Sequence, residues 1–511
     1  MPDKYTDKQA EAYCITTPIY YVNSKLHVGG AYTTVAADVL ARYNRLKGNK
    51  VFFLTGSDEH GQKIQETAKT LNIDSKTLAD KNVAEFKNLW CLMKITNDDF
   101  VRTTEPRHEL AVKTFFAKIM EKGDIYKGVY KGLYCVPCER YLTNSQLEEG
   151  KCPVCKREPG VLEEENYFLR MSEYQKKLLR LIEDNPTFIE PQNRRNEVMS
   201  RVRTGLEDVS VSRSTGASWG ISIPQDPSHV IWVWVDALIN YLTGLGYPNN
   251  TEKFQIFWHN TTHLVGKDII WFHCVIWPCL LMAAGIEPPR KIFAHGWWTI
   301  NGEKISKSKD NMIYPEEIIS KYGLDPLRYF LLREIPFGAD GDFSYEALER
   351  RINSDLADGL GNLLARSTAM VWKYSGGKLP VRAGKDTPLA EAAKNLFEKI
   401  DKAFDSIAFH TVLEEIMIVI RRANKFVEET QPWTLAKNQK TEELSNVLAA
   451  LMETLRIVSW ALEPFMPDTC GTIRQQLGVQ ESGRLEDLLS YGRMAEGTQL
   501  KKGGILFKKT Q

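Results

Sequence analysis

Three groups of residues carry the types and spacings that chemistry needs. The first is His27, Val28, Gly29 and Gly30, after the mostly apolar residues 15–21 and a short loop at 22–26. Glycines let a backbone approach a phosphate closely, and the free amides of a helix start favour an anion. His27 adds a side-chain donor to the same group. The second is Lys304, Ile305, Ser306, Lys307 and Ser308, a polar loop by composition. Two lysines flanked by hydroxyls suit a clamp on negative charge developing along a triphosphate. Either string alone describes something common, a capped helix start or a solvated basic loop. Their order and contexts together point to one ATP site. Between them Gly266, Lys267 and Asp268 follow the apolar pair Leu264 and Val265. An acid at such a strand end commonly holds a ribose hydroxyl in doubly wound folds, and Asp268 also suits the N-cap of the helix that follows. The third group is Cys135, Cys138, Cys152 and Cys155, two CxxC knuckles. Tetrahedral zinc takes four thiolates at this spacing. With all four positions filled by cysteine the ion is structural, and local order should depend on it.

The elements that position these groups follow from the apolar pattern. Residues 13–21 read as a strand, 29–47 as a helix, 51–55 as a strand, and a helix begins near residue 63. Strand, helix and strand in quick succession is the unit of a parallel sheet with right-handed crossovers. From 125 to 224 the pattern breaks into short strands, the cysteines and an acidic run at 162–165. Strands are expected again at 230–235, 255–258 and 292–295. After Tyr345 the chain reads as helical. Val412, Ile416, Val419, Ala423 and Phe426 form one apolar stripe, and Leu448, Leu451, Leu455, Val458 and Leu462 another. Two stripes need a partner face, hence a bundle. The expected fold is α/β: a doubly wound, Rossmann-like parallel sheet over 1–124 and 225–293, interrupted by an insert at 125–224. A segment at 294–348 and a helical domain at 349–511 with a basic tail follow.

Composition narrows the class. The chain has 511 residues, 43% hydrophobic and 26% charged, with net charge +1. That is several domains of ordinary globular protein, and any nucleic-acid surface must be a local patch. No apolar run is long enough to span a bilayer. The first residues show no leader pattern, so a cytoplasmic protein with no membrane partner is expected. Five of nine cysteines, Cys14, Cys91, Cys274, Cys279 and Cys470, are scattered. Buried thiols are expected, not a disulfide framework.

These motifs resemble the paired HIGH and KMSKS signatures of class I aminoacyl-tRNA synthetases, here HVGG and KISKS. The chain also resembles the methionyl-tRNA synthetase family over essentially its whole length. That likeness rests on residues 18–23 ahead of HVGG, 56–61 (Gly-Ser-Asp-Glu-His-Gly), 233–237 (Val-Trp-Val-Asp-Ala), and His295 with Gly296 ahead of KISKS. The resemblance implies a methionine–tRNA ligase that makes methionyl-adenylate and pyrophosphate from L-methionine and ATP with Mg2+. It would then charge tRNA(Met), initiator included. His27, Lys304 and Lys307 become catalytic, and Gly29, Gly30, Gly266, Asp268, His295 and Gly296 join them at ATP. Asp58, at a strand's end, suits the substrate ammonium. Ile19, Tyr21, Trp234, Ala237, Leu238, Tyr241, His273, Ile276 and Trp277 would line a dry pocket for the thioether, which packs well against rings. One zinc per chain sits in the insert, which guides the acceptor end of the tRNA, and residues 294–348 face its stem. Asn362, Arg366 and Trp433 meet the anticodon. The chain ends soon after the bundle, so a monomer is expected. Where HIGH ends in histidine this chain has Gly30, which shifts weight onto Lys304 and Lys307. Two other readings stay open: a nucleotidyltransferase without RNA, which leaves the helical third unexplained, and an inactive zinc-bearing RNA-binding protein.

Overall fold

A computed structural model describes residues 11–138, 140–142, 146–214, 219–300, 302–305, 311–380 and 386–510, with Lys304 as backbone only. Two compact units emerge. One holds Ala12–Ala37 and Val51–Gly296; the other holds Asp38–Lys50, Trp297–Gln511 and the described part of Met1–Glu11.

The first unit is organised by a seven-stranded sheet. Its order is Tyr20–Tyr21, Lys50–Asp58, Ala12–Thr16, Thr261–Gly266, Lys291–His295 and Ile189–Glu190, with Asp99–Arg102 also paired to Lys50–Asp58. The pairings are parallel, with Thr16 beside His263, Gly266 beside His295, and Tyr21 beside Asp58. All six residues of Thr261–Gly266 are buried, as are the last seven of Lys50–Asp58. Burial on both faces is what a parallel sheet between helices requires. The strand expected over 13–21 stops at Thr16. Pro18 has no N–H to continue the ladder, and pairing resumes only at Tyr20.

Two expected strands are helices instead. Only Asp226–Ile231 of the 230–235 region is a strand, antiparallel to Ser212–Ser214, and Val233–Gly244 is a fully buried helix. A helix apolar all round looks like a buried strand over a few residues. The strand expected at 255–258 is the helix Thr251–Phe257 and a 3-10 turn, and the strand starts at Thr261. Asn250 caps that helix by accepting from Lys253 N at 3.0 Å, the device that apolar pattern alone does not reveal.

In the 125–224 region a long hairpin, Ile125–Cys135 against Gly160–Leu169, carries the acidic run in its second strand. The region does not stand wholly apart, because Ile189–Glu190 pairs in parallel with Lys291–His295. Of the scattered cysteines Cys14, Cys274, Cys279 and Cys470 are buried; Cys91 is exposed, against expectation. No described helix is long and apolar enough to cross a membrane.

The second unit is helical from Tyr345 onward. Both apolar stripes are buried, on Phe409–Thr430 and on Thr441–Ala461, with Leu462 just past the second helix. Its tightest polar knot is the fully buried Arg456, which donates to Glu453 at 2.6 Å and to the carbonyls of Leu488 and Ser490 at 2.5 and 2.6 Å. The Glu453 carboxylate also accepts from the amides of Gly492, Arg493 and Met494. Both charges are thus satisfied without water, and the segment after the last long helix is tied down. Removing one partner strands the other in a dry interior. Arg456→Leu is expected to cost about 3–5 kcal/mol, read as a lower urea midpoint for loss of helical signal.

Candidate active site and metal centre

His27 stands at the mouth of the helix Val28–Leu46. Its Nδ1 accepts from Gly29 N at 3.0 Å, which takes up one of the free amides of the helix start. A Cβ at position 29 would lie 2.7 Å from the imidazole Cε1, so any larger residue there would displace the His27 ring. At Gly30 a Cβ would meet the Leu26 side chain at 3.1 Å and the Tyr20 ring at 3.4 Å. Its carbonyl accepts from Tyr20 Oη at 3.1 Å and Thr34 Oγ1 at 3.2 Å. The glycine that departs from HIGH is therefore built into the turn.

One turn into the same helix, Thr33 Oγ1 lies 2.7 Å from His295 Nε2 at the end of its strand. His295 Nδ1 donates to Gly296 O at 2.7 Å, so Nε2 is the acceptor for the threonine hydroxyl. In register with His295 is Gly266. A Cβ there would sit 2.5 Å from Asp268 Oδ1 and 3.9 Å from His295 Cε1. The phosphate-type turn, Gly266, Asp268, His295 and Gly296 are thus drawn together at the carboxyl ends of adjacent strands. Of the KISKS string, Lys304 is described only as backbone in the strand Glu303–Lys304, and Lys307 lies outside the described residues.

Asp58 closes its strand, 3% exposed, beside Tyr21. Gly56 is obligatory: a Cβ would lie 2.1 Å from Val101 O and 2.8 Å from the Ile19 side chain. Trp234, Ala237, Leu238 and Tyr241 share the buried helix Val233–Gly244, while His273, Ile276 and Trp277 lie across the junction of a π-turn, Phe272–Ile276, and the helix Trp277–Ala283. A π-turn of this kind re-aims side chains and is frequent at functional sites. Tyr241 Oη meets His273 Nε2 at 2.8 Å, and His273 Nδ1 donates to Ile269 O at 3.0 Å. Trp234 stacks on Phe272 with centroids 3.7 Å apart.

Electrostatics keep this region neutral. Burial pushes His273 down to about 4 and lowers His295, and it drives His263 well below its ordinary value with His273 adding to the shift. His263 accepts from the Trp277 indole at 3.3 Å through Nε2, which leaves Nδ1–H for Thr16 Oγ1 at 2.7 Å. Neutral imidazoles do not repel a cationic ammonium, and each has its tautomer dictated by a backbone or side-chain partner.

Sequence reasoning passes over Asp236, His60 and His108. Asp236 Oδ2 accepts from His60 Nδ1 at 2.6 Å and Oδ1 from His108 Nε2 at 2.7 Å. This fastens the Gly-Ser-Asp-Glu-His-Gly turn to the helix of Trp234 and Tyr241. Both motifs stand out in the chain, but only folding shows that they touch. Burial alone would raise the Asp236 carboxyl; His60 and His108 outweigh it and hold it at about 2. Next to it, buried Glu59 takes a bidentate contact from Arg102 at 2.6 and 2.9 Å.

The four clustered cysteines converge. Their Sγ atoms all lie within 4.8 Å of one another, with Cys135 and Cys152 buried and Cys138 and Cys155 half-buried. The Cys135–Cys155 and Cys138–Cys152 separations are 3.4 and 3.9 Å. Zn–S bonds of about 2.3 Å set tetrahedral sulfur edges near 3.8 Å, so the four thiolates fit one ion.

In the helical unit Asn362 opens the helix Asn362–Ser375, and Arg366 lies one turn on, its guanidinium 2.7 Å from Glu428. Both line a surface depression of about 390 Å³ with Arg421, Asn424 and Lys425. Trp433, 42% exposed, is on the helix Pro432–Lys437 and does not line that depression.

The family model described as tRNA synthetases class I (M) matches residues 13–161 and 144–368, and that described as the anticodon binding domain of methionyl tRNA ligase matches 380–511. A methionine–tRNA ligase of Caldanaerobacter subterraneus is 50% identical over 97% of this chain and 78% of its own. That of Thermotoga maritima is 46% identical over 97% and 80%. The solved structure of the Mycobacterium tuberculosis methionyl-tRNA synthetase in complex with methionyl-adenylate superposes with a TM-score of 0.93 at 41% identity, covering 97% of this chain and 99% of that one. Sheet, turn and sequence define a class I tRNA synthetase. Within that class the chain belongs to the methionyl-tRNA synthetase family.

Two outcomes are expected. Because the folded Asp236 carboxyl is depressed, its contribution to stability is present above the unfolded value of about 3.8 and lost as pH falls through about 2. The stability gap between the protein and Asp236→Asn, from urea midpoints, should therefore shrink between about pH 4 and 2. Chelation, or Cys152→Ser, should accelerate hydrogen exchange in the Ile125–Leu169 region and leave the seven-stranded sheet protected.

Proposed function

We propose that the chain, a methionine–tRNA ligase, acts in two steps at one site. The methionine carboxylate attacks the α-phosphate of ATP, a P–O bond forms, and pyrophosphate leaves. A terminal ribose hydroxyl of tRNA(Met) then attacks the adenylate carbonyl, and AMP leaves with the methionyl group on the RNA. The first nucleophile is already an anion and needs no general base, so the work is positioning and charge stabilisation.

In this reading His27, Gly29 and Gly30 receive the phosphates, and Lys304 and Lys307 neutralise charge on the departing pyrophosphate. Gly266, Asp268, His295 and Gly296 hold the adenosine side, Asp268 at the ribose. Mg2+ accompanies ATP and screens its charge. Asp58 pairs with the methionine ammonium, and Ile19, Tyr21, Trp234, Ala237, Leu238, Tyr241, His273, Ile276 and Trp277 enclose the thioether. Zn2+ on Cys135, Cys138, Cys152 and Cys155 holds the hairpin, and Asn362, Arg366 and Trp433 read the anticodon. Activation falls to residues 1–124 and 225–293, acceptor guidance to 125–224 and 294–348, and anticodon reading to 349–511.

The observation that carries this reading is the Thr33–His295 contact at 2.7 Å. It brings the anion-favouring helix start to the strand ends that bear Gly266 and Asp268. Methionine-dependent exchange of labelled pyrophosphate into ATP tests it. Exchange without any amino acid favours a nucleotidyltransferase, and no exchange at all favours an inactive binding protein. Asp58→Ala should weaken methionine about 100-fold by calorimetry, as expected for loss of one partner of a buried charge pair; unchanged binding removes Asp58 from the site.

A further inference from the structure

A cavity of about 410 Å³ opens in the sheet-bearing unit, lined by Arg140, Arg201, Tyr141, Trp232, Trp271 and Phe272 among others. Of the residues assigned above to methionine and ATP only Ile276 is on its wall. Its size falls among sites that hold one small ligand, roughly 300–1,000 Å³. The Arg201 guanidinium stacks 3.8 Å from the Trp271 ring centre, and that of Arg140 lies 6.0 Å from Phe272.

Neither arginine makes an ion pair among the described residues, and Arg140 Nε is buried with no hydrogen-bond partner. Burial, with Arg140 as a second cause, depresses Arg201 below the usual guanidinium range. Asp208 is on the same wall, but its carboxylate is taken up by Tyr126 Oη at 2.9 Å and Ser172 Oγ at 2.7 Å. Glu207 also lines the wall and Glu197 acts on Arg201 from farther off, but neither makes an ion pair with these arginines among the described residues, so two partly desolvated cations that repel each other form a site that a phosphate would relieve. Flat aromatic walls beside them suit a base. Phe272, on this wall, stacks at 3.7 Å on Trp234 of the proposed methionine pocket, so an occupant would adjoin the activated methionyl group.

We propose that this cavity seats a nucleotide of the single-stranded 3′ end of the acceptor tRNA, Arg140 and Arg201 taking its phosphodiester and the aromatic wall its base. This rests on the ligase reading. Activation uses methionine and ATP alone, whereas transfer needs a terminal ribose beside the adenylate; the cavity then serves the second step only.

The test compares the protein with Arg140→Gln and Arg201→Gln, using a tRNA(Met) transcript and the same transcript without its last three nucleotides. Methionine-dependent exchange should be unchanged. The Kd for the full transcript should rise about tenfold, and the slope of log Kd against log salt should fall by about 0.7 in all, the share of the one single-stranded phosphate. Arg201→Lys should restore the slope, and on the truncated transcript variants and parent should bind alike. A penalty that persists on the truncated transcript, or no penalty on the full one, overturns the proposal. So does loss of exchange, or a raised KM for pyrophosphate, because the cavity then serves folding or the ATP phosphates. Absence of exchange in the parent protein defeats the ligase reading instead, whatever the arginine variants do.

Discussion

Parallel register is the constraint on which the site depends. Backbone groups buried between helices have no water to turn to, so every strand of the sheet must pair fully with its neighbours. Pairing in parallel puts the carboxyl ends on one side, and the observed registers set Thr16 by His263, Gly266 by His295, and Tyr21 by Asp58. Residues remote in sequence are thereby delivered to a common edge with little freedom left in where they stand. Gly56 belongs to the same constraint, since a side chain there would lie 2.1 Å from the carbonyl of Val101, its partner on the neighbouring strand.

Desolvation shapes the chemistry at that edge. His263, His273 and His295 are buried and held neutral, each anchored through both ring nitrogens. Charge is kept where it is paired: Asp236 between two histidines, Glu59 on Arg102. Neutral rings near an acid at a strand end are the environment that a group apolar at one end and cationic at the other would need. Arg140 and Arg201, which make no ion pair among the described residues, stand out against this background.

The cysteine knuckles illustrate a different economy. The hairpin Ile125–Cys135 with Gly160–Leu169 exposes Val129 and Val161 to solvent; Ile125 and Leu169 at its base join the main core, while its far end has a small cluster around Cys135, Leu142 and Cys152. One ion on the four converging thiolates would add a crosslink where the apolar cluster is small.

Short motifs and long periodic stretches were legible in the chain itself. The HVGG turn, both CxxC pairs and the stripes of the two long helices depend on local spacing, and local spacing survives folding. Apolar runs were ambiguous: 233–235 are buried on all sides, which erases the period that separates helix from strand, whereas 255–257 are exposed or half-buried and belong to a helix started by the Asn250 cap. What tertiary structure alone decided was contact between distant segments. Asp236 with His60 and His108, Thr33 with His295, and Ile189–Glu190 on the main sheet all join residues whose partners lie far along the chain, and no pattern within one segment encodes such a partner. The sequence therefore determined which chemically capable groups exist: the glycine turn, the clustered thiols and the acid and aromatic side chains. The parallel sheet and its dry interior decided which of them meet, because pairing and desolvation act on neighbours in space.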